Sequence, residues 1–264
     1  MFALAWHEGK VFAALGTRDG AAVSISADQG QTWTVVPTGG SRVYGFLTVG
    51  GNLYAAEPVP TPEMRQKLRE SFRAPFFGVS EFQPPGRFIP RRDLTAEILL
   101  PGYEFKSKGW MTVSRAQAVG DKTLYIGIGS DLPPGLFLAS SLEEGHPLVR
   151  RIALPDGNRP WDWVVYDNHI YVLTQAKAAE GAEVRVFRFQ KEDLSGCQEV
   201  LHFRAPTFAR SFEILNGDFY FGLGCQVDDS RPWDRKPLPP ATGDILRVRA
   251  EFITESRPSV HREG

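Results

Sequence analysis

The feature that most constrains this chain is a short phrase that returns five times along it. A turn of Gly, Asn or Asp is followed at once by a strand that carries an aromatic residue. These turn residues favour tight hairpins because they tolerate positive φ. The aromatics stand 42, 71, 46 and 49 residues apart. They are Phe12, Tyr54, Tyr125, Tyr171 and Tyr220. Five hairpins at this spacing predict an all-β chain built from repeats.

Repeats of about 40–50 residues that hold several short strands are typical of β-propeller blades. We therefore predict an all-β fold: a five-bladed propeller of four-stranded antiparallel blades, in a single domain over residues 1–255, followed by a polar tail over 256–264. A sandwich of two sheets is the alternative. The predicted blades are residues 1–40, 41–105, 106–157, 158–206 and 207–255. The strands predicted in the fourth blade are residues 161–166, 169–175, 183–189 and 199–203.

The longest interval between aromatics marks an insertion in the second repeat. Thr61 suits a helix cap and Pro62 a first helical turn, so the sequence predicts a short helix over residues 61–72. A second long segment, residues 224–243, is rich in Pro and Asp. Long loops in a compact domain are usually functional or disordered.

Charge and composition exclude several classes of partner and cofactor. The chain has 30 Lys and Arg against 31 Asp and Glu, so its net charge of −1 attracts neither nucleic acid nor an acidic membrane surface. Two Cys cannot build a disulfide framework or a four-cysteine zinc site, and the His residues show no ligand spacing. We expect no metal, no cofactor, no nucleic acid and no membrane partner.

The beginning of the chain shows no basic start followed by a long apolar run, which a secretory signal needs. No segment reaches the length of about 18 apolar residues that a membrane span requires. We expect a soluble monomer, located in the cytoplasm or secreted after removal of a leader.

One motif in the chain has a specific spacing. Residues 26–33 follow the pattern S-x-D-x-G-x-T-W through Ser26, Asp28, Gly30, Thr32 and Trp33. Asp28 is suited to accept hydrogen bonds from backbone N–H groups in a turn, and Gly30 to adopt positive φ. Trp33 is expected to pack between strands. The motif therefore predicts a stabilised turn.

This motif resembles the Asp-box, or bacterial neuraminidase repeat, of sialidase-like propellers. The match covers eight residues, and residues 141–148 resemble a weaker copy in the third repeat. The resemblance implies that the motif lies between the third and fourth strands of a blade, away from the ligand face. It implies a structural role for Asp28, and the motif occurs in enzymes and in non-enzymatic propellers alike.

Counting back ten or twelve residues from the repeated aromatics locates arginines and aromatic residues near the start of the first strand of four blades. The predicted ligand-binding residues are Arg42, Tyr44, Arg115, Arg159, Trp161 and Arg210. Guanidinium groups bind carboxylate or phosphate, and aromatic rings stack on sugars. Offsets of ten and twelve share one strand parity, so these side chains are expected on one face. The alternative is that these arginines pair with acidic residues of the next blade, such as Asp162 and Glu213.

The function expected from these residues is non-catalytic binding of an anionic or glycan ligand on the loop-rich face. One alternative is a glycoside hydrolase of exo-sialidase type, since sialidases use a Tyr nucleophile, a Glu and an Asp acid/base. Tyr44, Glu213 and Asp162 could take those roles, but the F/Y-R-I-P motif of sialidases is not matched. A structural or protein-interaction propeller is the second alternative. The sequence therefore assigns no catalytic residue.

Overall fold

A computed structural model describes most of the chain. The described residues are 3–17, 20–38, 43–49, 51–57, 78–103, 111–129, 133–140, 147–155, 158–224 and 241–253. The predicted helix over 61–72, the polar tail and most of the segment 224–243 lie outside them.

The described residues form five antiparallel sheets, in each of which consecutive strands are neighbours. Sheet I contains β1 (Leu4–His7), β2 (Lys10–Thr17), β3 (Gly20–Ser26) and β4 (Thr34–Pro37). Sheet II contains β5 (Gly45–Val49), β6 (Asn52–Glu57), β7 (Gly78–Gln83) and β8 (Arg87–Pro90). Sheet III contains β9 (Met111–Val119), β10 (Lys122–Gly129), β11 (Gly135–Ser140) and β12 (Leu148–Ile152).

Sheet IV contains β13 (Arg159–Tyr166), β14 (His169–Lys177), β15 (Ala182–Gln190) and β16 (Gln198–Ala205). Sheet V contains three strands within the described residues: β17 (Phe208–Leu215), β18 (Asp218–Gly224) and β19 (Ile245–Val248). The all-β prediction and the four strands predicted in the fourth repeat are confirmed. The chain divides into two compact units, Met1–Ala153 with sheets I to III and Leu154–Gly264 with sheets IV and V.

The five predicted hairpins are present, each joining the first and second strands of one sheet. Their turns use positive φ at Gly9, Gly51, Gly120, Asn168 and Gly217, which is the backbone conformation that the turn residues favour.

The aromatic residues do not all keep the same register. Tyr54 and Tyr171 are the third residues of their strands, whereas Tyr125 is the fourth residue of β10. Because successive side chains in a strand alternate between faces, Tyr125 lies on the opposite face of its sheet. The repeat is therefore regular in its hairpins and less regular in its aromatic positions.

In the first unit, sheet II is buried on both faces. Leu53 belongs to the apolar cluster that contains Phe12 of sheet I, and the next residue, Tyr54, belongs to the cluster that contains Tyr125 and Phe137 of sheet III. Alternation along β6 thus sends successive side chains into two cores. Sheet II is the middle layer of this unit.

In the second unit, sheets IV and V share one apolar cluster. The rings of Phe212 and Phe221 are stacked with centroids 5.2 Å apart, and Tyr171 of sheet IV meets Phe219 of sheet V edge-on at 5.4 Å. Aromatic pairs of this geometry add to the stabilisation from burial alone. Aromatic packing therefore stabilises the contact between sheets IV and V.

Helical structure within the described residues is short. The helix α1 (Ala96–Leu99) follows sheet II, and the Tyr125 hydroxyl donates to the Leu99 carbonyl at 2.6 Å. A single 3₁₀ turn covers Ala250–Phe252. No helix in the described part of the chain has the length and apolar character needed to cross a membrane.

The motif of residues 26–33 forms the turn between β3 and β4. Both carboxylate oxygens of Asp28 are used: Oδ1 accepts from the Thr32 backbone N–H at 2.8 Å and Oδ2 from the Thr32 hydroxyl at 2.6 Å. Ser26 Oγ donates to Asp28 and accepts from the Gly30 N–H, each at 2.7 Å. These hydrogen bonds, with the largest effect from those of Thr32, lower the pKa of Asp28 to about 2. The prediction that Asp28 caps the turn is confirmed.

The expectation that Trp33 packs between strands is wrong. Its side chain stays 42% exposed, and its Nε1 donates to the Gly30 carbonyl at 2.9 Å. Gly30 has a φ of 93°, a backbone conformation that favours glycine, and a Cβ there would be in ordinary contact with the indole Cζ2 at 3.5 Å. The indole therefore covers the turn. The weaker copy of the motif falls largely outside the described residues.

Asp28→Ala is expected to lower the melting temperature, because the N–H and hydroxyl of Thr32 lose their acceptor. The pKa of Asp28 lies below that of the unfolded chain, so its stabilisation is present above about pH 4 and lost as the pH falls toward 2. Thermal unfolding at neutral pH and at pH 2 measures both effects. Asp121→Ala, in an exposed hairpin turn, is the control. Equal melting curves for the two variants would contradict the capping role.

Candidate functional site

The two ends of each sheet differ in chemical character. We call the hairpin end the one that carries the turn between the first and second strands, and in sheet I it also carries the Asp28 turn. The upper end is the opposite one, where the first and third strands begin and the second strand ends. Of the predicted ligand-binding residues that the structure describes, Arg159, Trp161 and Arg210 lie in the upper halves of first strands, Tyr44 directly precedes β5, and Arg115 is the middle residue of β9. Arg42 lies outside the described residues.

Four of the predicted residues occupy β-bulges. The register of β13 against β14 shifts between Pro160 and Asp162, which leaves Trp161 as the extra residue. The register of β17 shifts in the same way around Arg210, between Ala209 and Ser211. A bulge bends the strand and redirects its side chain.

The first unit contains two further bulges. Arg115, with φ of 51°, falls within the shift of β9 opposite Tyr125. The Tyr44 N–H donates to the Ala56 carbonyl at 3.0 Å while Gly45 is the strand partner of Ala56, so two residues oppose one. Because each bulge inserts a residue, the strand parity from which a common face was predicted does not hold along these strands.

In the second unit the structure brings Trp161 and Arg210 together. The guanidinium carbon of Arg210 lies 5.3 Å from the centre of the Trp161 ring, and the ring of Phe208 meets Trp161 edge-on at 6.4 Å. The aliphatic stem of Arg210 crosses Gly224, where a Cβ would collide with the Arg210 Cγ. The Arg210 side chain therefore lies between the face of the Trp161 ring and the backbone of Gly224. We call Trp161, Arg210, Arg159 and Gln175 the Trp161 cluster.

Two buried side chains of sheet IV fix the backbone on either side of Arg210. Asp162 is 4% exposed, and its Oδ2 accepts from the Phe212 N–H at 3.0 Å while its Oδ1 accepts from the Trp163 N–H at 2.9 Å. Gln175 is 1% exposed, and its Oε1 accepts from the Ala209 N–H at 3.0 Å. Asp162 therefore serves the backbone of both first strands. The backbone of β17 is therefore hydrogen-bonded to sheet IV on both sides of the bulge at Arg210.

The cations of the Trp161 cluster are not neutralised within the part of the chain that the structure describes. Arg159 begins β13, is exposed and is the strand partner of Gln175. Neither Arg159 nor Arg210 forms an ion pair with another described residue. Glu213, an expected partner, is exposed and accepts from the Ile214 N–H at 2.9 Å. The alternative of arginines paired across sheets finds no support at these two positions.

In the first unit the upper end carries a buried carboxyl group that the sequence analysis missed. Glu57 ends β6 and is 6% exposed, and burial raises its pKa to about 7. The nearby hydroxyl of Thr38, itself 5% exposed, moderates this rise, but neither Glu57 Oε1 nor Thr38 Oγ1 has a hydrogen-bond partner among the described residues. Glu57 is therefore a proton-binding group near neutral pH.

Buried side-chain atoms without a hydrogen-bond partner concentrate at the upper end. Within the described residues these atoms are Thr38 Oγ1, Glu57 Oε1, Gln175 Nε2 and Thr242 Oγ1. Glu57 is the last residue of β6 and Gln175 lies in the upper half of β14, while Thr38 follows β4 and Thr242 precedes β19. Such a group costs about 1–3 kcal/mol, and each one in a native protein requires an explanation. Within each unit, the upper end of the sheets is therefore the candidate site.

The described residues hold no group of three or more His, Cys, Asp or Glu side chains placed to bind a metal ion. The sequence signal for the missed residues was a polar residue at the end of an apolar run, as in residues 53–57 and 170–175. That signal is weak, because strands often end in polar residues.

No protein-family profile and no curated protein sequence matches this chain. Solved structures that resemble it include an α-L-arabinofuranosidase from Clostridium thermocellum, at 10% identity and a TM-score of 0.47, with 93% of this chain and 87% of that one covered. A thermostable family-43 glycoside hydrolase has 8% identity and a TM-score of 0.44, covering 84% and 82%. A Trypanosoma rangeli sialidase has 13% identity and a TM-score of 0.46, covering 89% of this chain and 45% of that one.

Glu57 is expected to make stability fall as the pH rises from about 4.5 to about 7. Its folded pKa lies above the unfolded value of 4.5, so the native state keeps a proton that the unfolded chain has released. The stabilisation is complete below pH 4.5 and declines by about 1.4 kcal/mol per unit, or about 3 kcal/mol in all.

Glu57→Gln keeps the shape and removes the titration, so its urea unfolding free energy should change less between pH 5 and pH 8 than that of the wild type. Exposed Glu180→Gln is the control and should keep the wild-type slope. The same slope in Glu57→Gln and the wild type would show that Glu57 is not protonated in the native state.

Proposed function

We propose that the chain is a single-domain, five-bladed β-propeller of the sialidase-like, Asp-box kind whose upper end binds an anionic carbohydrate without cleaving it. Each sheet has the same consecutive strand order and the same first hairpin, which is how blades repeat. Sheet II is buried on both faces, which supports the proposal because a propeller blade is completed by its neighbours on both sides. The Asp28 turn has the hydrogen bonds expected of the motif.

The observation that carries the functional proposal is Arg210 stacked over Trp161, with both residues on bulges near the upper end. A half-buried indole offers exposed aromatic surface for a sugar ring beside Arg210, and a guanidinium without an ion-pair partner among the described residues offers donors to a carboxylate or sulfate. Arg159 adds a second exposed cation on the same strand as Trp161. The combination suits a sugar that carries an acidic group.

A glycoside hydrolase is the second candidate, and Glu57 is the observation that favours it. A buried carboxyl group with a pKa of about 7 keeps a proton at neutral pH, as a general acid must. Release of a chromogenic group from aryl glycosides, lost in Glu57→Gln, would support hydrolysis. Absence of turnover together with ligand binding supports the binding protein.

Isothermal titration with D-glucuronate, N-acetylneuraminate and neutral D-glucose tests the binding proposal. We expect an acidic sugar to bind more tightly than glucose, and Trp161→Ala and Arg210→Ala each to weaken that binding about tenfold, which corresponds to about 1.4 kcal/mol. The matched control is Arg247→Ala. Arg247 lies 5.9 Å over the Tyr220 ring at the hairpin end and is ion-paired with Asp218, so its loss should leave affinity unchanged.

An unchanged affinity in Trp161→Ala and Arg210→Ala, or an equal loss in Arg247→Ala, would overturn the assignment of the site. A wild-type protein that binds none of the three sugars would overturn the function itself and favour a structural or protein-interaction propeller.

Gly224→Ala provides a separate check on the geometry. A methyl group at this position displaces the stem of Arg210 while leaving the Trp161 ring and the charge in place. We expect weaker binding of the acidic sugar with a melting temperature close to that of the wild type. Wild-type affinity in this variant would mean that the stacked position of Arg210 does not matter for binding.

A further inference from the structure

We propose that the buried amide of Gln175 donates a hydrogen bond to the acidic group of the ligand and makes the Trp161 cluster selective for anions, an inference that rests on the function proposed above. Gln175 lies in β14 beside both arginines of the cluster. Arg159 is its partner across the strand pair, and Arg210 follows Ala209, whose N–H the Gln175 side chain accepts. The amide thus lies where the first strands of sheets IV and V meet.

The orientation of this amide is fixed by its neighbour. The Ala209 N–H can only donate, so the oxygen of the Gln175 amide must face it at 3.0 Å. A flipped amide would place two donors against each other. The Nε2 group is therefore held on the other side, with two hydrogens and no acceptor among the described residues.

An unpaired donor on a residue that is 1% exposed is costly, at about 1–3 kcal/mol. Gln175 does not need Nε2 to hold Ala209, because that bond uses only the oxygen. A residue that offered the acceptor alone would avoid the cost. The retained donor is explained if a ligand supplies the missing acceptor.

The groups around Gln175 determine the charge of that acceptor. The Arg159 and Arg210 guanidiniums and the Gln175 Nε2 are all hydrogen-bond donors, and the two guanidiniums are cations without ion-pair partners in the described chain. The carboxylate of Asp162 is committed to the backbone N–H groups of Phe212 and Trp163. Donors on Gln175, on its strand partner Arg159 and on Arg210, which follows Ala209, fit an anion better than a sugar hydroxyl, because a carboxylate or sulfate has several acceptor lone pairs and a charge.

Gln175→Glu is the sharpest variant, because it is isosteric. A glutamate keeps an oxygen for the Ala209 N–H, and when it is ionised, a state that the nearby Arg159 and Arg210 favour, it replaces the donor with a second acceptor that carries negative charge. At neutral pH we expect the affinity for D-glucuronate to fall at least about tenfold, while any weaker binding of D-glucose changes much less. Gln175→Met, uncharged and of similar length, should also lose the preference for glucuronate over glucose.

Gln198→Glu is the matched control, since Gln198 lies on the last strand of the same sheet and its Oε1 accepts from Arg188 Nη2 at 2.8 Å. It introduces the same charge and should leave the affinity unchanged. Melting curves and circular dichroism of all three variants establish that they are folded.

The inference is overturned if wild-type protein binds glucuronate in a manner that depends on Trp161 and Arg210, yet Gln175→Glu and Gln175→Met bind it equally well. In that case the proposed function stands and the Nε2 group serves an internal water. It is also overturned if Gln175→Glu loses glucose and glucuronate to the same extent. A wild-type protein that binds no acidic sugar removes the proposed function first, and the Gln175 assignment with it.

Discussion

The first strand of each sheet is an edge strand, and its outward N–H and C=O groups need partners from elsewhere. Side chains of the neighbouring sheet provide them. Asp162 and Gln175 accept the outward N–H groups of β17, and in the first unit the Thr123 hydroxyl donates to the Thr48 carbonyl of β5 at 3.1 Å. Gly45 of β5 lies so close to β9 that a Cβ would be 2.9 Å from the Val113 carbonyl oxygen. Neighbouring first strands are therefore locked together within each unit, and side chains on their bulges acquire fixed positions.

The two ends of each sheet differ in how their polar groups are satisfied. At the hairpin end, tight turns connect the strands and hydrogen bonds are local. In sheet I, for example, Asp28 accepts hydrogen bonds from the N–H and the hydroxyl of Thr32. The upper end carries the bulges at Trp161 and Arg210 and buried polar atoms that have no partner among the described residues. Under the proposed function, the hairpin ends provide a rigid frame that holds Trp161 and Arg210 in position for a ligand.

Local patterns in the sequence were sufficient for the hairpins, the strands of sheet IV and the capped turn at Asp28, because alternation and turn chemistry act over a few residues. The position of Tyr125 on the opposite face of its sheet was not predicted, because the repeats were aligned on their aromatic residues and not on their turns. The bulges at Trp161 and Arg210 depend on the packing of one first strand against another, which no local pattern encodes. Burial of Glu57 in β6 and of Gln175 in β14 is likewise decided by the neighbouring sheet, so no local pattern marks either residue.

The most direct test of the central claim, that ligand recognition belongs to the upper end of the sheets, is a crystal structure of the protein soaked with D-glucuronate. The account predicts sugar density against the Trp161 ring, with the carboxylate within hydrogen-bonding distance of Arg210 and of the Gln175 amide nitrogen. Sugar density at the hairpin end, near the Asp28 turn, or at the upper end with its carboxylate turned away from Arg210, would contradict it.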